Sequence, residues 1–130
     1  MQLFQSVGRL VYGTDKLIVE ADQGISDFYR ALIPKYYRVR PQYYPAHISV
    51  IRKETPSLLQ YWRKYQGEPI AFNYEPFPYN GEVYWWLNVF CVRLEEIRQE
   101  LGLEVSSPYT RPPDGFAKCF HMTLGNVKGL

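Results

Sequence analysis

Apolar positions along the chain fall into short alternating runs, separated by stretches with helical spacing. Val7–Tyr12 and Lys16–Ala21 alternate like strands, and the intervening Gly13-Thr14-Asp15 predicts a tight hairpin. Ile25, Phe28, Tyr29 and Leu32 recur at helical spacing before Pro34, which predicts a helix over Gly24–Ile33. The segment YYRVRPQYYP is broken by prolines and reads as a loop or a sheet edge. A strand over Ala46–Arg52 comes next. A second helix is predicted from Thr55 to Gly67, with Thr55 as N-cap, Pro56 in the first turn and Leu58, Leu59 and Trp62 as its buried stripe. Ile70–Glu75 and Val83–Phe90 alternate again, linked through the turn signal Asn80-Gly81. A third helix begins at Val92, places Leu94, Ile97 and Leu101 on one face and stops at Gly102. A polar, proline-rich loop, EVSSPYTRPPDG, leads into a last strand over Phe116–Leu124. The pattern predicts a single α+β domain over residues 1–130, with a hint of two similar halves.

Composition adds three constraints. The formal net charge is only +2, too small for tracking long duplex nucleic acid, and better matched to a small anionic ligand or a short oligonucleotide. Twelve tyrosines suit either a tyrosine-rich core and rim or a surface that stacks on flat ligands. Cys91 and Cys119 follow no CxxC spacing and read as buried thiols in a reducing compartment. No segment has the pattern of a signal peptide or of a bilayer-spanning run, so a cytoplasmic location without membrane contact is expected.

The candidate chemistry lies in the strands. The two histidines of the chain stand in matching triplets, His47-Ile48-Ser49 and His121-Met122-Thr123. Strand alternation puts His47 with Ser49 on one face and Ile48 with Val50 on the other; His121 and Thr123 likewise oppose Met122 and Leu124. If both polar faces meet in one cleft, two imidazoles, a group whose unperturbed pKa is ~6.5, can divide the roles of base and acid. The hydroxyls can then donate to the oxygens of a phosphate. Trp86 shares a face with Tyr84 and Asn88, and is a candidate either for base stacking or for partial burial in the sheet. Tyr43 and Tyr44 precede the first triplet, and Tyr12 ends the first strand, as rim candidates. Arg52, Lys53, Lys118 and Lys128 flank the triplets as phosphate-attracting cations. Cys119 falls on the His121 face, which raises a Cys–His pair or a zinc site with Cys91 as minor alternatives to an inert buried thiol.

The sequences HISV and HMTL, with the order of elements from Ala46 to Leu124, make the chain resemble the 2H phosphoesterase superfamily. That group contains RNA 2′,3′-cyclic phosphodiesterases and proteins similar to 2′-5′ RNA ligases. The resemblance implies two pseudo-symmetric lobes of antiparallel sheet, with helices outside and a central cleft; Val7–Tyr12 would be an addition to that plan. It implies His47 and His121 as the catalytic pair and Ser49 and Thr123 as phosphate-binding hydroxyls, with no metal or other cofactor; Trp86, Tyr12, Tyr43 and Lys118 are substrate-binding candidates by their positions in the sequence alone. Substrates in the range of the group include 2′,3′-cyclic phosphates, 2′-5′ oligonucleotides and cyclic oligonucleotide signals, which viral and phage members remove to blunt host defence. Some relatives bind nucleotides without turnover, and ligation is the reverse chemistry at the same site.

Overall fold

The computed structural model describes residues 2–110, 112–113 and 115–129. The elements in chain order are β1 (Phe4–Tyr12), β2 (Leu17–Glu20), α1 (Gln23–Ala31), β3 (Arg40–Pro41), β4 (His47–Ile51), β5 (Pro69–Tyr74), β6 (Tyr79–Asn80), β7 (Tyr84–Phe90), α2 (Val92–Glu100) and β8 (Phe120–Asn126). The domain is α+β, as the pattern predicts. Arg111 and Asp114 of the predicted proline-rich loop lie outside the described residues.

All eight strands belong to one antiparallel sheet in the order β3-β8-β4-β2-β1-β5-β7-β6. A further pairing of β8 with β7 joins the sheet to itself. Six strands, β1, β2, β4, β8, β7 and β5, thereby close into a barrel, while β3 and β6 extend it beside β8 and β7. Closure leaves those six strands without a free long edge and gives the interior to apolar side chains. Leu17, Val19, Ile48, Val50, Phe72, Leu87, Val89, Met122 and Leu124 are all buried there. Gly8 has no side chain because a Cβ at that point of β1 would collide with the Glu20 carbonyl of β2.

Both helices form largely where their signals stand. Asp22 caps α1, its carboxylate accepting from the Gly24 amide at 2.8 Å. The buried face of α1 is rotated from the predicted stripe: Ser26 and Tyr29 are inside, and Phe28 and Leu32 are exposed. Leu94, Ile97 and Leu101 of the α2 region are buried as the spacing predicts, and Gly102 leaves the helix at φ +84°.

The helix predicted over 55–67 is absent, replaced by turns around a single 3₁₀ turn at Leu59–Tyr61. The backbone donors of Ser57 and Leu58 go instead to the Leu101 carbonyl at the end of α2 (3.1 and 3.2 Å). Arg63 then takes a left-handed conformation at φ 69°. Of the predicted stripe only Trp62 meets the core, edge-on to Tyr12 at 5.0 Å, while Leu58 and Leu59 are exposed. A tertiary contact and an aromatic anchor override the local capping signal.

Arg98 of α2 ties the rear of the molecule to β4. Its guanidinium is wholly buried and its five donors are satisfied: Nε by the Glu104 carbonyl, Nη1 by the Val50 carbonyl and Glu54, Nη2 by Glu54 and the Ser106 carbonyl, at 2.6–3.2 Å. Among the described residues no helix is long and apolar enough to cross a membrane. We predict that Arg98→Ala, which strands the largely buried Glu54 carboxylate, lowers unfolding free energy by about 3–5 kcal/mol in denaturant titration. Arg98→Lys also destabilises, because an ammonium cannot reproduce the fork; a loss below about 1 kcal/mol for both variants contradicts this role.

Candidate functional site

Strand alternation turns the apolar halves of both triplets inward. Ile48 and Met122 are fully buried and stand opposite each other in the β4–β8 pairing. His47, Ser49, His121 and Thr123 therefore emerge together on the outer face of the barrel, and all four line one cleft of about 1310 Å³. Counting outward from the Ile48–Met122 pair, antiparallel register puts Thr123 level with His47 and His121 level with Ser49. The two imidazoles thus stand on the same face as diagonal neighbours, roughly 7 Å apart at the backbone. The neighbouring registers extend the pattern into two rows. Glu20, His47, Thr123 and Trp86 form one, and Ile18, Ser49, His121 and Asn88 the other.

Local contacts orient the rings. His47 Nδ1 lies 2.8 Å from the Pro45 carbonyl oxygen, an acceptor only, so Nδ1 carries a proton and the lone pair of the neutral ring sits on Nε2. The His121 ring stacks on Trp86, with centroids 4.8 Å apart and planes 20° from parallel, and its Nε2 atom is out of contact with solvent. Trp86 Nε1 donates to Asn88 Oδ1 at 3.0 Å, and Asn88 Nδ2 donates to Glu75 Oε1 at 3.3 Å.

The wider lining is cationic and aromatic. Lys16, Arg52 and Lys128 face one carboxylate, Glu20, among the described lining residues. Lys16 lies over the Tyr44 ring at 5.9 Å and Lys128 over Tyr84 at 5.1 Å. Tyr43 lies on the rim, 94% exposed and edge-on to Tyr44. From the proline-rich loop, Tyr109 and Thr110 also reach the lining. The Thr110 hydroxyl donates to the Cys119 carbonyl at 3.1 Å, holding the loop to the start of β8.

The structure brings together His47, Ser49, His121, Thr123, Trp86 and Tyr43, but two sequence candidates belong elsewhere. Tyr12 is 4% exposed and packs in the core against Trp62, because it falls on the inward face of β1. The Lys118 ammonium is held at 2.5 Å by Glu95 of α2 and is not part of the lining; a nearby carboxylate at the helix captures it. Of the other flanking cations, Arg52 and Lys128 reach the cleft. Trp86 does face the cleft, yet one side of its indole is already covered by His121. Sequence reading passed over Asn88 and Glu75. Alternation placed Asn88 on the Trp86 face, whereas nothing local marks Glu75, which reaches Asn88 only through the β5–β7 pairing.

Cys119 is 2% exposed, with Sγ 3.9 Å from Asn88 Oδ1. Burial, with the Glu75 charge adding to it, pushes its thiol up to about 11. Burial also raises the Cys91 thiol, whose Sγ contacts the Ala71 carbonyl at 3.4 Å. Among the described residues no group of three or more His, Cys, Asp or Glu side chains is placed to hold a metal, which removes the four-residue zinc alternative. A thiol held this far above its ordinary range is un-ionised near neutrality and is a poor nucleophile. Cys119 should therefore react with a disulfide reagent at pH 8 about two orders of magnitude more slowly in the folded protein than in denaturant, and Cys91 also more slowly. Rapid labelling of Cys119 in the native state contradicts its burial.

Compared with known proteins, the chain matches no family model, no curated protein and no solved structure.

Proposed function

We propose that the cleft is the active site of a metal-independent phosphodiesterase of the 2H type, acting on a nucleotide phosphodiester. The observation that carries the proposal is the diagonal arrangement of two histidine–hydroxyl pairs about the Ile48–Met122 register, open to one cationic cleft. A phosphorus centre between two rings about 7 Å apart at the backbone lies within reach of both. Such a substrate is anionic, in keeping with the surplus of Lys16, Arg52 and Lys128 over Glu20. The register puts the two triplets in a local two-fold relation about the Ile48–Met122 pair, which supports this reading, within a sheet that closes into one barrel.

In this scheme one imidazole accepts the proton of an attacking water or ribose hydroxyl as its oxygen bonds to phosphorus. The other donates a proton to the oxygen whose bond to phosphorus breaks. His47, with its lone pair fixed on Nε2 when neutral, suits the accepting role. Ser49 and Thr123 donate hydrogen bonds to the non-bridging oxygens, where negative charge grows. Exposed Tyr43, Tyr44 and Tyr84 offer flat surfaces for the nucleoside portion. One observation favours a second reading, a nucleotide-binding module without turnover: the His121 Nε2 atom is shielded from solvent.

A panel of 2′,3′-cyclic nucleotides, 2′-5′ oligomers and cyclic oligonucleotides, resolved by mass, tests the proposal. Turnover of at least one member is expected, persisting in EDTA and following a bell-shaped pH profile. His47→Ala and His121→Ala should each reduce kcat by about two to four orders of magnitude. A ligand that binds unchanged for hours selects the binding module, and a near-normal rate in either variant removes that histidine from the chemistry.

A further inference from the structure

We propose that Asn88 and Glu75 are positioning residues which, acting through Trp86, fix the ring of His121; this role rests on the phosphodiesterase reading of the cleft. The three strands β5, β7 and β8 set Glu75, Asn88 and His121 side by side: the Glu75 amide donates to the Asn88 carbonyl at 3.0 Å, and Asn88 pairs with His121. Trp86, two residues before Asn88 and on the same face, closes the group by laying its indole flat on the imidazole.

The hydrogen-bond chemistry leaves one arrangement. An indole Nε1–H is a donor only, so the Asn88 side-chain atom facing it at 3.0 Å is the carbonyl oxygen. The amide nitrogen then points the other way, to the Glu75 carboxylate at 3.3 Å, which accepts. Swapping the amide would set donor against donor and oxygen against carboxylate. The amide orientation is therefore dictated by its two neighbours, and the indole plane is dictated by the amide. The Cys119 thiol approaches the same Oδ1 at 3.9 Å and packs that side.

Burial sharpens the case. Asn88 is 2% exposed and Glu75 1% exposed. Putting a carboxylate and an amide out of water is unfavourable unless they are paired, and apolar residues would fill the same space with less penalty. The group lies on the outer, cleft-facing side of the barrel wall, away from the apolar interior, and its free end is the stacked imidazole. A ring stacked face to face has lost the freedom to swing about its Cβ–Cγ bond. The network thus keeps one of the two rings in a constant plane beside Ser49 and Thr123. Misplacement of a reacting group by about 1 Å can reduce rate a hundredfold, so such fixing acts on turnover more than on binding.

Four variants test this: Asn88→Asp, Glu75→Gln, the two combined, and Trp86→Phe, which keeps a flat ring but loses the indole donor. Asn88→Asp alone faces one buried carboxylate with another; combined with Glu75→Gln, the contact re-forms with its polarity reversed while Asp still accepts from the indole. In folded protein, Asn88→Asp and Trp86→Phe should each lower kcat by about tenfold or more with KM changed less than about threefold, and the combined variant should recover most of the Asn88→Asp loss. If Asn88→Asp does not fold, Trp86→Phe and the combined variant carry the comparison. Imidazole NMR signals, which need no turnover, supply the second readout. The His121 signals should shift or broaden in Asn88→Asp and lie close to wild type in the combined variant. Normal kcat with unmoved His121 signals in the folded single variants overturns the positioning role. Moved signals in a protein that turns over no phosphodiester keep the role and remove the reaction instead.

Discussion

Everything at the cleft depends on one pair of buried residues lying level with each other, Ile48 on β4 and Met122 on β8. With side chains alternating at period two, a slip of one residue in either strand would send its histidine and hydroxyl into the apolar interior. The barrel punishes that slip on both faces at once: imidazoles would be desolvated inside and Ile48, Val50, Met122 and Leu124 exposed outside. The cleft geometry is thus a by-product of core packing. The same strand is held at its far end by the buried Arg98, whose Nη1 donates to the Val50 carbonyl, two residues beyond the Ile48 that sets the register.

What was legible in the sequence is what strand and helix periodicity carries locally. The inward and outward faces of HISV and HMTL, the face of Trp86 and the buried stripe of α2 all follow from spacing within a few residues. The helix over 55–67 failed because its cap and proline signals were local, while its fate was set by the distant Leu101 carbonyl and by Trp62 seeking Tyr12. Tyr12 and Lys118 failed as ligand candidates for a related reason. One falls on the inward face of its strand, and the other meets a carboxylate on α2 that is distant in sequence. Closure through β7 and β8 joins segments separated by a helix and a long loop, so nothing in the strand patterns announces a barrel, and Glu75 comes into view only once the strands are paired.

The heavy aromatic content is divided between the core and the cleft. Tyr29, Tyr74 and Phe4 meet edge-on at about the same spacing, 5.9 and 6.0 Å, and Tyr12 meets Trp62 within the core. Tyr43, Tyr44, Tyr84 and Tyr109 instead border the cleft, with Lys16 and Lys128 lying over two of them. Trp86 belongs to neither group: it faces the cleft but spends one face on an imidazole. Aromatic rings here supply core area, a rim to the cleft and a stack on a histidine, according to which face of the barrel wall they occupy.

The most direct measurement of the central claim is an NMR titration of the two imidazoles with a phosphorothioate dinucleotide that resists cleavage. If the rings share one phosphate, the signals of His47 and His121 move together, with a single dissociation constant, and truncating either side chain weakens the response of the other. Movement of one ring alone, or of each with its own constant, would mean that the two histidines do not serve a common phosphorus centre.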